Sequence, residues 1–378
     1  MKTFDVAIAG GGLIGGAIAL ELARAGLRVG LFDKQKPGRE ASWASAGILS
    51  PAPENPGMIG LVSLGKASMQ IYPDFVATVE ELFEQNVGYR AKGTVEVLTS
   101  RHAREELSTI IALHHGLGLK AEPLSAADAR DLEPNLREDL EAAVLRPEEA
   151  SVDNRLLAQA ILASAQRSGA EIFADKRVDR IWQDGNKCKG VVAGEERIAA
   201  GHTVIAAGCF SAQIEGVAKY APVRPAKGQM ISLTCSETRI ERVLWGDHIY
   251  LVPRNDGRVL AGATVEYLGF DKTLTAGGQR KLLSAAIDLV PAFENAHIEE
   301  AWAGLRPDSP DHLPILGPTD LAGLVLATGH FRSGVLLTPI TAKLVREWIT
   351  LGSVSEDCDR FSPMRFAATA KRNHATAD

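Results

Sequence analysis

The sequence has little of what marks several protein classes. Aromatic residues make up 6% of its 378 positions, and its four cysteines, Cys188, Cys209, Cys235 and Cys358, lie far apart with no CxxC pair. That spacing argues against a disulfide framework or a zinc site and fits a reducing compartment. No segment reaches the roughly 18 uncharged apolar residues that a membrane helix needs. The apolar stretch near the start is bracketed by Asp5 and Glu21 and broken by glycines, too short for a span and unlike a signal peptide. Basic charge is not in excess: 41 Lys and Arg stand against 47 Asp and Glu, a formal charge of −6. An acidic chain has no overall attraction to nucleic acid or an anionic membrane. Neither an internal repeat nor a low-complexity segment is present. These absences predict a soluble, cytoplasmic protein with no metal and no nucleic-acid or membrane partner.

What is present is an ordinary globular composition, 46% hydrophobic and 23% charged, with 36 Gly and 18 Pro. This length allows about two to three domains with a sizeable core. Residues 4–9 form an apolar run that reads as a buried parallel strand. Residues 14–25 have helical spacing and stop at Gly26, and 28–32 read as a second strand closed by Asp33. Together they make a βαβ unit. Residues 34–65 have little periodicity, and so long a loop inside a domain is usually functional. Helices are expected over 66–85, 103–115, 156–169, 278–289 and 335–350. Ser125 and Asp128 form a capping box for another short helix. Alternation over 223–262, with an Asn255-Asp256-Gly257 turn, predicts an antiparallel sheet. Buried strands return at 203–207 and 324–328, each followed by glycine. A proline-rich loop is expected from Arg306 to Pro318.

Gly10, Gly12 and Gly15 form a GxGxxG motif between the first strand and first helix. The three glycines suit a tight turn, close approach of the backbone to a pyrophosphate, and close packing of helix on strand. A helix N-terminus offers N–H groups and a positive dipole end to phosphate. Asp33, at the end of the second strand, is placed to accept hydrogen bonds from a ribose. The motif alone does not choose between FAD and NAD. Apolar strands that return late in the chain favour an interrupted FAD domain over one contiguous NAD domain.

Several segments carry a family resemblance: GGGLIGGAIALELA at 10–23, EASWASAGI at 40–48, Ser151-Val152-Asp153, VIAAGCFS at 204–211, IYLVPRNDGRVLAG at 249–262, WAGLRPDSPDHLPILGP at 302–318 and ATGHFRSGVLL at 327–337. The chain resembles the D-amino acid oxidase-like FAD-dependent amine oxidoreductases, and within them the branch that oxidises glycine for thiamine thiazole synthesis. The last two segments are the ones specific to this branch. The resemblance implies an α/β plus α+β fold. A Rossmann-like FAD-binding domain of glutathione reductase type (1–85, 150–220 and 305–378) would join a substrate-binding domain built on an antiparallel sheet (86–149 and 221–304). It implies contacts to non-covalent FAD from Gly10, Gly12, Leu13, Ile14, Gly15, Asp33, Lys34, Ala41, Ser42, Ala46, Gly47, Ile48 and Val178. His330, Phe331, Arg332, Ser333, Gly334, Val335 and Leu336 complete that set. No cysteine occupies the place where related enzymes tether flavin, a stretch that here reads Trp302-Ala303-Gly304.

The resemblance further implies that Arg306 and Arg332 hold the substrate with Tyr250 beside them. Ile48 and Val265 stand where relatives line the pocket with methionine. The activity implied is oxidative deamination of glycine and other small primary or secondary amines and D-amino acids by dioxygen, in a homotetramer. No residue is singled out as a catalytic acid or base, because the flavin does the chemistry. Guanidinium geometry suits bidentate recognition of a carboxylate. Ser333, Gly334 and Val335 are expected to open the last helix and turn its N–H groups on the flavin. His330 is open to a structural or a catalytic part. Alternatives are a D-amino acid dehydrogenase or cyanide-forming glycine dehydrogenase using another acceptor, an NAD-dependent dehydrogenase, or a non-catalytic flavin-binding protein.

Overall fold

The strand Thr3–Ala9 takes its place through its side chains: Val6, Ala7 and Ile8 have no exposed surface, as a strand covered on both faces requires. The computed structural model describes residues 2–236 and 238–366, so residues 367–378 of the third expected FAD segment lie outside the described residues. In it, Thr3–Ala9 pairs in parallel with Val29–Phe32 on one side and Glu196–Ile205 on the other. Leu324–Thr328 adds in parallel to Glu196–Ile205, and Glu171–Phe173 adds to Val29–Phe32. Ile315–Pro318 closes one edge antiparallel, and Lys187–Ala193 with Arg180–Asp184 form a meander off Glu196–Ile205. The helices Leu13–Arg24, Asn154–Arg167 and Thr338–Thr350 pack together over one face of this sheet.

The second large sheet is mostly antiparallel. Its order is His297–Asp308, Arg224–Thr234, Arg258–Gly262, Ile249–Pro253, Val243–Gly246, Thr94–Leu98, Ala142–Arg146 and Glu122–Ser125. Val243–Gly246 and Thr94–Leu98 run parallel to each other. The turn at Asn255-Asp256-Gly257 is present, with Gly257 at φ 88°. The capping box of Ser125 and Asp128 is formed by both of its arms.

Four expectations need correction. The stretch 34–65 is not one loop: it holds a short helix Ala41–Ala44 and a two-residue strand Ile48–Leu49, and the following helix starts early, at Val62. Arg306 lies inside the strand His297–Asp308, opposite Ala226, and not in a turn. Its pairing partner comes from far earlier in the chain, so the Gly and Pro that flank Arg306 mislead when read locally. The last helix begins at Thr338, with Pro339 in its first turn, where a missing N–H costs no helical bond. Residues 334–337 form a turn ahead of it, held by Leu337 N–H donating to Ser333 O at 2.9 Å. The strands Glu122–Ser125 and Ala142–Arg146 were not expected at all.

One guanidinium ties the antiparallel sheet to the 41–47 segment and the helix Asn154–Arg167. Arg254, 7% exposed, leaves the strand Ile249–Pro253 and donates from Nη2 to Ala46 O at 2.9 Å and to Asn154 Oδ1 at 2.8 Å. Its Nε lies 3.7 Å from Asp153 Oδ2. Asp153 also caps the helix Asn154–Arg167, accepting from the N–H groups of Arg155 and Leu156. Asn154 in turn donates to Ser42 O and Trp43 O. Burial lowers the pKa of Arg254 to about 10, outweighing the pull of Asp153, so the side chain stays charged near neutral pH. Replacing it with a neutral side chain leaves buried oxygens unpaired. Arg254→Met is therefore expected to cost about 3 kcal/mol or more, read as a lower urea midpoint; an unchanged midpoint would show that this junction does not hold the sheets together.

Candidate active site

At the junction of the two sheets lies a cavity of about 560 Å³. It reaches from the glycine turn at Gly10 and Gly12 to Arg306 and Tyr250 on the antiparallel sheet. That volume is in the usual range for a small-molecule site, about 300–1,000 Å³.

At the glycine turn, sterics fix the residue type. Gly10 has φ 107°, and a Cβ there would lie 2.4 Å from Ala206 O. A Cβ on Gly15 would come within 1.9 Å of Gly10 O, so Gly15 lies behind the turn and lets the helix sit close. The helix Leu13–Arg24 carries no acid in its first turn and has Gly12 as a cap without a side chain. Its positive end is thus unopposed and fits an anionic group. Asp33 is fixed by N–H donors from Gly11 at 2.7 Å and Gln35 at 3.0 Å. Burial raises its pKa, and the two N–H groups pull the other way. An ionised carboxylate offers about four acceptor sites, so oxygen lone pairs remain for a hydroxyl partner.

The segment after Glu40 is shaped by several hydrogen bonds. Leu13 N–H donates to Ser42 Oγ at 2.9 Å, tying Ser42 to the first helix turn. Trp302 Nε1 donates to Ala44 O at 3.0 Å. Gly47 has φ 76°, and a Cβ there would lie 1.9 Å from Val152 O, so Ile48–Leu49 can pair with Ala150–Ser151 only because 47 is glycine. These features fit the pyrophosphate and ribose of a dinucleotide such as FAD.

Across the cavity, register places one row of side chains on the antiparallel sheet. Trp302 lies opposite Met230, Met230 opposite Gly262, Gly262 opposite Tyr250, and Tyr250 opposite Trp245. Arg306 is four residues beyond Trp302 on the same face. Its guanidinium occupies space left by Gly228, whose Cβ would fall 2.3 Å from Nη1. Nη1 donates to Thr264 O at 3.1 Å, which orients the group. Burial raises the Tyr250 pKa, and the neighbouring Arg306 opposes that shift, so the phenol stays protonated near neutral pH. Arg332 is ion-paired with Glu54, and burial lowers its pKa.

The residues singled out from the sequence come together here. All of them line the cavity except Gly15, which lies behind Gly10, and Val265, which is 42% exposed outside the lining. Ile48 is at the cavity wall and Val265 is not. The sequence reading missed Glu40, Glu54, Phe210, Met230 and Trp245, which also line it. Glu40 opens a motif that was already singled out; Met230 and Trp245 are set by strand register, which no local signal reveals. Cys209 borders the cavity, its thiol pKa raised to about 12 by burial. Among the described residues, no helix is long and apolar enough to cross a membrane.

His330, 3% exposed, has Nε2 3.1 Å from Thr341 Oγ1, and burial lowers its pKa to about 3. It is a neutral structural contact between the 328–336 segment and the last helix. The sign of its linkage follows from that depressed value. An unfolded histidine titrates near 6.5, so below that pH the unfolded chain binds a proton that the folded chain refuses. Its contribution is intact above pH 6.5 and is lost as the pH falls toward 3, by about 1.4 kcal/mol per unit. Replacement by Gln should flatten the decline of the urea midpoint between pH 6.5 and 5; equal slopes in both proteins would assign that decline to other groups.

Comparison with known proteins identifies the family. A family model described as FAD dependent oxidoreductase (DAO) matches residues 5–348. The bifunctional protein ThiO/ThiG of Trichormus variabilis is 36% identical over 351 residues, covering 92% of this chain but 53% of its own length, so the chain spans about half of that relative. The glycine oxidase of Pseudomonas aeruginosa is 34% identical, with 90% of this chain and 93% of that protein covered. The crystal structure of glycine oxidase from Geobacillus kaustophilus superposes with a TM-score of 0.91 at 31% identity, covering 97% of this chain and 99% of that one. The chain belongs to the DAO family of FAD-dependent oxidoreductases.

Proposed function

We propose that the protein is an FAD-dependent amine oxidase that deaminates glycine and other small primary or secondary amines and D-amino acids to the imino or 2-oxo acid, ammonia (or, from a secondary amine, the released amine) and hydrogen peroxide. The observation that carries this reading is the oriented Arg306, with Tyr250 beside it, facing the glycine turn across one continuous cavity. The similarity to glycine oxidases and to the ThiO part of the bifunctional relatives supports it and suggests supply of the glycine imine for thiamine thiazole synthesis. Residues 1–85, 150–220 and 305–378 would form the FAD-binding domain, and 86–149 with 221–304 the substrate domain, in a cytoplasmic homotetramer.

The residues divide the work. Gly10, Gly12 and the first turn of the helix Leu13–Arg24 would hold the pyrophosphate, Asp33 a ribose, and Ala41, Ser42, Gly47 and the 330–336 segment the rest of the cofactor. Bound FAD supplies a two-electron acceptor, restored by dioxygen with formation of peroxide. Arg306 pairs with the substrate carboxylate, and the Tyr250 hydroxyl bounds the same end of the pocket. With the carboxylate fixed, the amine and its α-carbon are held toward the cofactor side, and positioning of this kind lowers the barrier without an acid–base pair. Met230 and Trp245 supply apolar surface to the same wall as Tyr250. Arg332, already paired with Glu54, borders the pocket without a free charge to offer.

Peroxide release on adding glycine to the FAD-loaded protein tests the reading directly; no oxygen uptake with any amino acid in a panel would refute it. Asp33→Ala should weaken FAD binding by about ten- to hundredfold, and an unchanged dissociation constant in apoprotein titration would make Asp33 structural only. Arg306→Leu should raise the KM for glycine by about thirty- to a few thousandfold, because the entering carboxylate loses its partner. Amines without a carboxylate should be affected much less. Equal losses on both kinds of substrate would mean that Arg306 supports the fold.

A further inference from the structure

Residues 263–275 join the strand Arg258–Gly262 to the helix Ala276–Leu289 with no regular structure of their own. They expose an unusual run of large apolar side chains: Val265, Tyr267, Leu268, Phe270 and Leu274 are each 38–53% exposed. A segment of that length and irregularity in a packed protein is usually functional. Its base is firmly held. Lys227 and Glu266 exchange backbone hydrogen bonds of 2.8 and 2.9 Å. The fully buried Lys227 ammonium lies 3.5 Å from Glu266 Oε2, and Glu266 Oε1 accepts from Gln229 and Thr264. Further along, Tyr267 donates to Asp308 at 3.0 Å beneath the Arg224 guanidinium.

The tip of the segment reaches two residues, Phe210 and Glu40, that lie beyond the ends of the parallel sheet's strands. Phe270 stacks on Phe210 with ring centroids 5.0 Å apart, and Lys272 Nζ lies 3.1 Å from Glu40 Oε2. Phe210 and Glu40 are both walls of the cavity, near Asp33. Lys34, also in that wall, ties the two together: its Nζ is 3.1 Å from Glu40 Oε1 and 3.1 Å from the centre of the Phe210 ring. The wall around the Asp33 end is therefore finished from outside by two side chains of the segment that follows the strand Arg258–Gly262.

We propose that residues 263–275 are a clasp on the cofactor, with Phe270 and Lys272 acting as FAD-retaining residues by bracing Phe210 and Glu40. For FAD to leave past this wall, Phe210 and Glu40 must move, and the clasp opposes that movement without touching the substrate end at Arg306. The proposal rests on FAD being the cofactor and is independent of which amine is oxidised.

The test follows flavin fluorescence after dilution of the holoprotein, with no amine present, for the wild type and for Phe270→Ala, Lys272→Ala and the double variant. The stack should be worth about two- to tenfold in release rate and the exposed ion pair about two- to fivefold, so the double variant should release FAD roughly tenfold faster. At about 1 M salt the Lys272→Ala effect should vanish while that of Phe270→Ala persists, because ion pairs are screened and ring stacking is not. Unfolding midpoints of the apoproteins should match, and the KM for glycine at saturating FAD should be unchanged. A wild-type release rate in the double variant would overturn the proposal. So would a drop in apoprotein stability as large as that of the holoprotein, which would make the contacts purely structural. Failure to oxidise glycine would leave these rates informative and would count against the amine oxidase reading alone.

Discussion

The two ends of the cavity are held together by a buried guanidinium that leaves the antiparallel sheet and binds the 41–47 segment and the start of the helix Asn154–Arg167. Arg254 reaches from the antiparallel sheet into the segment between Ser42 and Gly47, where it binds Ala46 O and Asn154 Oδ1 beside Asp153. A charge with this little water around it is tolerated only if its donors are met by acceptors in good geometry. That requirement holds the antiparallel sheet against the start of the helix Asn154–Arg167. It also fixes the 41–47 segment, which carries Ser42 to the first helix turn and lets Ala44 O meet Trp302. The cofactor side and the substrate side of the cavity are thus dimensioned by one set of hydrogen bonds.

Charge within the pocket is arranged with similar economy. Arg332 is matched by Glu54, and the phenol of Tyr250 is kept neutral by burial. His330 is kept neutral as well, by the cost of protonating an imidazole away from water. Arg306 remains as the cation oriented by a backbone carbonyl and facing open volume. A monocarboxylate is the simplest ligand whose charge answers it.

The residues that bind through local backbone geometry were legible in the sequence. Gly10 and Gly15 announce themselves because sterics permit nothing else there, Gly12 through its spacing between them, and Asp33 follows from its place at the end of a strand. Arg306 was found through a motif, although its surroundings were misread: Gly304 and Pro307 suggest a turn locally, while pairing with Arg224–Thr234 makes the stretch a strand. The start of the last helix was placed a few residues early because apolar spacing continues through Val335 and Leu336, whereas Pro339 fixes where regular hydrogen bonding begins. Met230, Trp245 and Arg254 were illegible as site residues for one shared reason. Their importance comes from cross-strand register and from contacts between distant segments, and neither leaves a trace in local periodicity.

The order of strands in the parallel sheet has a temporal side. Thr3–Ala9 is made before Glu196–Ile205, which flanks it, and that strand is made before Leu324–Thr328, which flanks it in turn. A chain emerging from the ribosome at about 5–20 residues per second therefore holds its glycine turn for many seconds before the neighbouring strands exist to support it. Contacts of such long sequence separation form slowly, because the loop entropy is spent before the pairing is gained. The glycine turn is written at Gly10–Gly15, yet the sheet that supports it is completed only with the strand Leu324–Thr328. Nascent chains are thus expected to stay blind to flavin until the strand Leu324–Thr328 has been made, and loss of that strand would be felt at the glycine motif.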